Sequence, residues 1–287
     1  MGFRTVVINS RCKLELKLGY MVVRSEDTKR IFIDEISTLL IHSTAVAITT
    51  SLLSELIKRN VKVVFCDEKH NPQAELLPYY GSYNNSLKLK QQLSWSEQTK
   101  QIVWTKIISQ KIINQAKLLL NLNKKEQASK LFVYAEQIEL NDTTNREGHA
   151  AKLYFATLFG SSWNRNGGDF YSKALNYGYT ILLSTFNREI AKLGFLTQLG
   201  IWHDNQFNDF NLSCDLMEPF RPLVDQIVIN LTPEDTQFKS ALLKMNELQV
   251  YIDGKTMFLE NAIETYIKSV ISALNQNNVD IMKNYEL

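Results

Sequence analysis

The hydrophobic period of this chain changes once along its length, and that change limits the folds open to it. Over the first 70 residues apolar and polar side chains alternate in short runs, the period-two pattern of half-buried strands. The runs are Arg4 to Ile8, Lys13 to Leu18, Met21 to Arg24 and Arg30 to Asp34, with a break at Gly19-Tyr20. Leu14, Leu16 and Leu18 fall on one face and Glu15 and Lys17 on the other, which predicts an antiparallel sheet with one side in water. Leu39 to Ile41 extends it, Thr50 to Lys58 has the spacing of a short amphipathic helix, and Val61 to Cys66 reads as a largely buried strand.

Between Asp67 and Tyr83 the texture shifts: Asn71, Pro72, Pro78 and Gly81 gather among polar residues, the composition of a linker. From Ser86 onward the period is that of helices. Ser94-Trp95-Ser96-Glu97 forms a capping box ahead of a run ending near Leu122, and further helices start near Lys124, Thr144 and Ser172, the last stopping at Gly194. Thr232-Pro233-Glu234-Asp235 is another start signal, for a helix reaching about Gln249. Asp253-Gly254 then marks a hairpin-like turn before a last helix, Glu260 to Leu274. The expected fold class is α+β: a β-rich domain over 1–75, a linker over 76–85 and an all-α domain over 86–287.

Charge and cysteine usage narrow the function classes. Lys and Arg number 32 against 30 Asp and Glu, a net charge of +2, so any nucleic-acid site must be a local patch. Three cysteines without a CxxC pair argue against a disulfide framework and against structural zinc. The N-terminus lacks the long apolar stretch of a signal peptide. The longest uncharged segment, Ile36 to Ser54, is crowded with Ser and Thr and contains His42, so no membrane span is expected. A cytoplasmic protein fits these features.

Two of the four histidines stand near acids in strongly polar segments, Asn145-Arg146-Glu147-Gly148-His149 and His203-Asp204-Asn205-Gln206. The second leads to Cys214-Asp215-Leu216-Met217-Glu218-Pro219-Phe220-Arg221, where Asp215 and Glu218 share a face if the stretch is helical. A Glu from each of two helices and a His from a third segment make an oxygen-rich set that suits Mn²⁺ or Mg²⁺. Such a site would serve phosphoryl transfer. Spacing leaves plainer readings open. Thr144-Asn145-Arg146-Glu147 also matches a capping box, His203 also fits a structural polar residue, and Asp215 and Glu218 also suit the first turn of a helix. His149 reads as structural or as a neighbour of the site.

Other candidates point elsewhere. Neither GxxxxGK[ST] nor GxGxxG occurs, which removes the phosphate-cradling loops of nucleotide enzymes. Gly167-Gly168 reads as a turn, Cys66 as a buried structural thiol, and the tyrosines at Tyr79-Tyr80 and Tyr177-Tyr179 as packing surface.

In its sequence the chain resembles CRISPR-associated protein one, the spacer-acquisition integrase, in the branch that accompanies type II systems. The likeness spans nearly the whole chain: Arg4 to Ile8, Phe65-Cys66-Asp67, Leu77 to Gly81, Trp95-Ser96-Glu97, and above all Asn145 to Ala151, Leu175 to Leu183 and His203 to Asp225. It implies that the β-rich domain dimerises and the helical one is catalytic, with Glu147, His203 and Glu218 holding an Mg²⁺ or Mn²⁺ ion. Many relatives have Asp where Glu218 stands. Asp215 matches an acidic position near the site, and Asn145, Arg146 and Arg221 are raised as neighbours of the site that contact phosphate.

The implied reaction joins the 3′-hydroxyl of a captured double-stranded spacer precursor to a phosphodiester of the CRISPR repeat. Implied partners are a second copy in a homodimer and a small adaptation protein that bridges two dimers. The type II effector nuclease and a ring-forming DNA-end protein join by the same resemblance. Two alternatives stand beside this: a metal-dependent nuclease or resolvase that uses water in place of the 3′-hydroxyl, and a DNA-binding scaffold without turnover.

Overall fold

Over the first 75 residues the alternating segments do form strands, but not one sheet. The computed structural model describes residues 4–79, 84–234 and 238–287, and the chain divides into two units, 1–81 and 82–287. In the first unit the elements are β1 (Arg4–Ile8), β2 (Cys12–Lys17), β3 (Tyr20–Arg24), β4 (Thr28–Phe32), β5 (Ile36–Ile41), β6 (Val46–Ile48), α1 (Thr50–Lys58), β7 (Lys62–Cys66) and β8 (Pro72–Glu75). They make two four-stranded sheets, ordered β1-β5-β7-β8 and β4-β3-β2-β6.

The expectation of a single antiparallel sheet is therefore corrected. β1, β5 and β7 run parallel, and β6 runs parallel to β2. The cause lies in β5, whose six residues are all buried: a strand covered on both faces belongs in the middle of a parallel set. Leu18, expected on the buried face, is 89% exposed, because it takes a φ of +50° in the turn with Gly19 that joins β2 to β3. Leu14, Met21, Ile33, Leu39, Leu52 and Val63 form the core of this unit. The three cysteines are free thiols, and Cys12 and Cys66 are buried.

Helices dominate the second unit: α2 (Asn85–Leu93), α3 (Glu97–Asn121), α4 (Lys125–Glu136), α5 (Arg146–Phe159), α6 (Phe170–Lys192), α7 (Asn211–Met217), α8 (Arg221–Val228), α9 (Phe238–Leu243) and α10 (Leu259–Gln276). The first of these starts inside the expected linker, of which residues 80–83, including Tyr80 and Gly81, lie outside the described residues. The cap of α3 is Ser96, whose hydroxyl accepts from the Thr99 amide at 3.1 Å, and not Ser94. Gly167 N–H closes a turn on the Asn164 carbonyl at 2.9 Å.

The helix expected from Thr232 to Gln249 is absent as such. Asp235 lies outside the described residues, α9 is short, and Gln249 opens a strand. β9 (Gln249–Ile252) pairs with β10 (Lys255–Phe258) across the Asp253-Gly254 turn and with β11 (Tyr285–Glu286), so a small sheet interrupts the domain expected to be all helical. Alternation in Gln249-Val250-Tyr251-Ile252, with Val250 and Ile252 buried, outweighs the helix-start signal upstream.

α3 is the axis of this unit. Its middle is buried on nearly every side, and it packs on α4, α5, α8 and α10. Asn114, wholly buried on α3, donates to the Pro219 carbonyl at 2.9 Å and to the Tyr285 carbonyl at 3.2 Å. Tyr285 in turn stacks on Phe220 with ring centroids 4.3 Å apart. These contacts fix the single 3-10 turn Glu218–Phe220 against α3. Among the described residues no helix is long and apolar enough to cross a membrane.

Candidate active site

The start of α5 is built by Asp142, which the sequence pattern does not single out. Asn141 and Asp142 take left-handed φ values of +64° and +50°, and the Asp142 carboxylate accepts from the Arg146 amide at 2.7 Å and the Glu147 amide at 3.0 Å. Asn145 is the cap residue and accepts from the Gly148 amide at 3.3 Å. A side chain at Gly148 would collide with it, since an added Cβ lies 2.6 Å from Asn145 Oδ1. The capping box read from Thr144 to Glu147 is not formed: the Thr144 hydroxyl makes no hydrogen bond, and the Glu147 carboxylate is engaged elsewhere. Glu147 Oε1 meets the ammonium of Lys111 on α3 at 2.5 Å. His149 is exposed, beside the Tyr134 ring.

The second polar segment folds around Asp215. This carboxylate is fully buried and accepts from the backbone amides of Ile201 (2.6 Å), Trp202 (3.0 Å) and His203 (3.2 Å). It also accepts from His203 Nδ1 at 2.5 Å. Asp215 lies in the fifth position of the seven-residue α7, so the first-turn reading of this acid is overturned. Gly200 has no room for a side chain, as an added Cβ would sit 2.3 Å from the His203 carbonyl oxygen and 2.8 Å from Asp215 Oδ2. Glu218 follows α7, and its partners differ from those of Asp215. Its Oε2 meets Lys111 Nζ at 2.5 Å, and its Oε1 meets Arg221 Nε at 2.8 Å.

Glu147 and Glu218 thus converge on one buried cation, the Lys111 ammonium. Burial works against that charge, but the carboxylates of Glu218 and Glu147 outweigh it and hold Lys111 above the ordinary lysine range. Burial likewise pushes Glu218 up, and Arg221 and Lys111 more than reverse the push, so it stays ionised. His203 is raised above the ordinary histidine value by its bond to Asp215, against the effect of burial, and the charges of Asp215, Glu218 and Glu147 add to the rise. All three sequence candidates therefore share one electrostatic neighbourhood, with His203 on its rim.

Of the other residues singled out, Asn145 is occupied as the cap of α5, and the Arg146 guanidinium lies over the Tyr134 ring at 5.7 Å. Arg221 holds Glu218 and packs its guanidinium over Tyr179 at 4.7 Å. Tyr177 and Tyr179 are buried, as expected of packing residues, whereas Tyr79 is 98% exposed, against that expectation, and its neighbour Tyr80 lies outside the described residues. The hydroxyls of Tyr179 and Tyr154 donate to Asp225 at 2.5 and 2.8 Å.

Residues 5–261 match the family described as CRISPR associated protein Cas1. The chain belongs to that family. A CRISPR-associated endonuclease Cas1 from Neisseria meningitidis serogroup C (strain 8013) is 32% identical over 292 residues, covering 99% of this chain and 96% of the relative. Among solved structures, a casposase bound to integration product is similar with a TM-score of 0.79 at 18% identity, over 96% of this chain and 91% of that one. A Cas6-RT-Cas1–Cas2 complex is similar with a TM-score of 0.76 at 17% identity, over 99% of this chain and 36% of that one. At these identities the two structural likenesses establish a Cas1-type fold.

Within this family fold the sequence pattern missed Lys111 and Asp142. The signal for Lys111 was present: with Trp104, Ile107, Ile108, Gln115 and Leu118 it lies on one stripe of α3, and a lysine on a buried stripe demands a carboxylate partner. Among the described residues no three His, Cys, Asp or Glu side chains stand as a ready group of metal ligands. What fits a divalent ion is the donor chemistry. Two carboxylates share one buried cation, and Asp215 ties His203 through Nδ1, which leaves Nε2 turned to the ligand role. A carboxylate behind the imidazole is the usual support of a histidine ligand.

Proposed function

We propose that this member of the Cas1 family is a metal-dependent DNA integrase of CRISPR adaptation that acts by transesterification. The observation that carries it is the convergence of Glu147 and Glu218 on one buried cation position, with His203 beside it. Glu147, Glu218 and His203 Nε2 would hold Mg²⁺ or Mn²⁺. When bound, such an ion polarises a phosphodiester and stabilises the attacking and leaving oxygens.

The chain's own residues prepare that site. Asp142 fixes the start of α5 and so the root of Glu147. Asp215 holds the 201–203 loop by its amides and keeps His203 in one tautomer, with Nδ1–H toward the carboxylate. Arg221 keeps Glu218 ionised in a buried setting. In the exchange, a DNA 3′-oxygen forms a bond to phosphorus as the bond to the leaving 3′-oxygen breaks. The attacking hydroxyl loses its proton and the leaving oxygen gains one. One phosphodiester replaces another, so no nucleoside triphosphate is consumed, in keeping with a sequence that carries no phosphate-cradling loop.

The substrates under this reading are a double-stranded spacer precursor and a CRISPR repeat. The fold shared with the Cas6-RT-Cas1–Cas2 complex is in keeping with a small adaptation partner. Under this reading that partner would bridge two homodimers, to which a type II effector nuclease and a ring-forming DNA-end protein would attach. A second reading, hydrolysis, is favoured by the endonuclease name of the Neisseria relative. One assay separates them: a labelled spacer duplex, a supercoiled repeat plasmid, and Mn²⁺, Mg²⁺ or EDTA. Integration requires label joined covalently to plasmid with either metal and none in EDTA, and loss of joining in Glu147→Ala and His203→Ala. Cleavage without joining supports hydrolysis, and normal joining by both variants removes the site.

A further inference from the structure

His203 ends a stretch, 194–203, that forms neither helix nor strand and is held in place by side chains. Near the candidate site the Thr197 hydroxyl donates to the Asp209 carbonyl at 2.7 Å and the Asn211 side-chain amide donates to the Gln198 carbonyl at 3.0 Å. Asp215 takes the amides of Ile201, Trp202 and His203. A further anchor comes from α2, more than a hundred residues earlier in the chain. Gln92 Nε2 donates to the carbonyls of Leu196 at 2.8 Å and Leu199 at 3.0 Å, and its Oε1 accepts from the Leu196 amide at 2.9 Å. Gln92 is the buried residue of α2, while Leu87, Leu89 and Leu93 on the same helix are exposed. The hydrophobic effect alone would turn a leucine inward, so the polar bonds set how α2 meets the loop. Phe195 reinforces the contact: it stacks on Trp95 at 5.8 Å and has the Lys88 ammonium over its ring at 5.4 Å.

We propose, on the reading of the chain as a DNA-joining enzyme, that Gln92 is a positioning residue for the reaction: it braces Leu196 and Leu199 and thereby fixes where the His203 imidazole stands. The link between brace and imidazole has no slack. Gly200 alone separates Leu199 from Ile201, and an added Cβ there would sit 2.3 Å from the His203 carbonyl oxygen and 2.8 Å from Asp215 Oδ2. A displaced Leu199 carbonyl therefore moves Ile201, Trp202 and His203 against the Asp215 carboxylate. Packing does not hold the ring by itself, since the His203 side chain is 42% exposed and meets Trp104 edge-on at 5.7 Å. Its place is set by its backbone and by the Nδ1 bond to Asp215. Without the Gln92 amide, two carbonyls and one N–H lose their partner, and the loop shifts to satisfy them. A misplacement of about 1 Å at a reacting group, caused by a change well outside the chemistry, costs about a hundredfold in rate.

The test compares three full chains: wild type, Gln92→Met, which keeps the side-chain length and removes all three bonds, and Thr99→Val. The last removes a buried hydroxyl bond to Asn277 at 2.6 Å, away from the loop. Melting curves establish that each variant is folded. Hydrogen exchange read by mass spectrometry, in EDTA and without DNA, should be at least about tenfold faster at Ile201 to His203 in Gln92→Met and unchanged there in Thr99→Val. A labelled spacer duplex, a supercoiled repeat plasmid and Mn²⁺ then report joining. Gln92→Met should lower kcat about tenfold or more at unchanged KM for the duplex, the scale of losing a group that orients a metal ligand, and Thr99→Val should change neither. Gln92→Asn, whose amide is one methylene short, should fall between wild type and Gln92→Met, and it carries the test if the methionine variant melts below the assay temperature. Faster exchange confined to Leu196, or a kcat loss no larger than that of Thr99→Val, overturns the inference, as does a raised KM at unchanged kcat. Faster exchange at Ile201 to His203 together with no joining by the wild type in any metal leaves the brace standing and sinks the joining reading. Equal joining by wild type and Gln92→Met does the reverse.

Discussion

Replacing Lys111 with Met removes the ammonium that Glu147 and Glu218 share, and the consequence can be estimated from the surroundings. The Lys111 side chain is 10% exposed and that of Glu218 is 5% exposed, so this is a buried ion pair. Removing one partner of such a pair typically costs about 3–5 kcal/mol, because a buried charge is left uncompensated. The low end applies here. Arg221 stays 2.8 Å from Glu218, and Glu147, at 32% exposure, can turn to water. For a helical unit of this size about 3 kcal/mol lowers the melting temperature by about 6–12 °C.

The assay is calorimetric melting of wild type and Lys111→Met in EDTA and again in Mn²⁺. An ion at a hundred times its dissociation constant adds about 2.7 kcal/mol. In the variant it meets two carboxylates with no ammonium to displace, so Mn²⁺ should raise the variant's melting temperature more than the wild type's and close most of the gap. Equal melting of the two proteins in EDTA refutes the ion-pair reasoning. A larger Mn²⁺ shift in the wild type refutes competition between Lys111 and the metal.

Two further outcomes follow from the surrounding network. Burial raises the Asp225 carboxyl to about 6, against about 3.9 in an unfolded chain. The folded state binds that proton more tightly, so this group's contribution to stability is complete below about pH 4 and is lost as pH rises through about 6, a fall of about 3 kcal/mol. Asp225→Asn keeps an oxygen for the hydroxyls of Tyr154 and Tyr179 and should flatten that part of the stability-pH curve; parallel curves for the two proteins would contradict the assignment. Gly200→Ala forces the His203 carbonyl or Asp215 to shift, an overpacking cost of about 1–3 kcal/mol. It should lower DNA joining more than Gly148→Ala lowers it, because at Gly148 the clash is with the Asn145 side chain, which can rotate; the ratio of joining rates decides.

What the sequence disclosed followed the reach of each signal. Period-two runs located β1, β2 and β3, since alternation is local, while the parallel pairing of β1 with β5 and of β5 with β7 depends on partners more than 20 residues away. Two strands left little trace: β6 is three residues among Ser and Thr, and β8 begins with Pro72, tolerated at a sheet edge. In the site, Glu147 and His203 stood out by residue type, but the cap reading of Glu147 fell to Asp142, whose left-handed backbone lets its carboxylate take the first amides of α5. Asp215 and Glu218 looked equivalent by spacing. The fold separates them, giving one to the 201–203 loop and the other to Lys111.

If Glu147, His203 and Glu218 hold one catalytic ion, the ion can be located directly. The most direct measurement is an anomalous difference map from crystals of the full chain grown with Mn²⁺. The expected result is a manganese peak ligated by Glu147, Glu218 and His203 Nε2, with the Lys111 ammonium moved off the position between the two carboxylates. Manganese bound elsewhere, or an unmoved Lys111 with no peak beside it at saturating Mn²⁺, would contradict it.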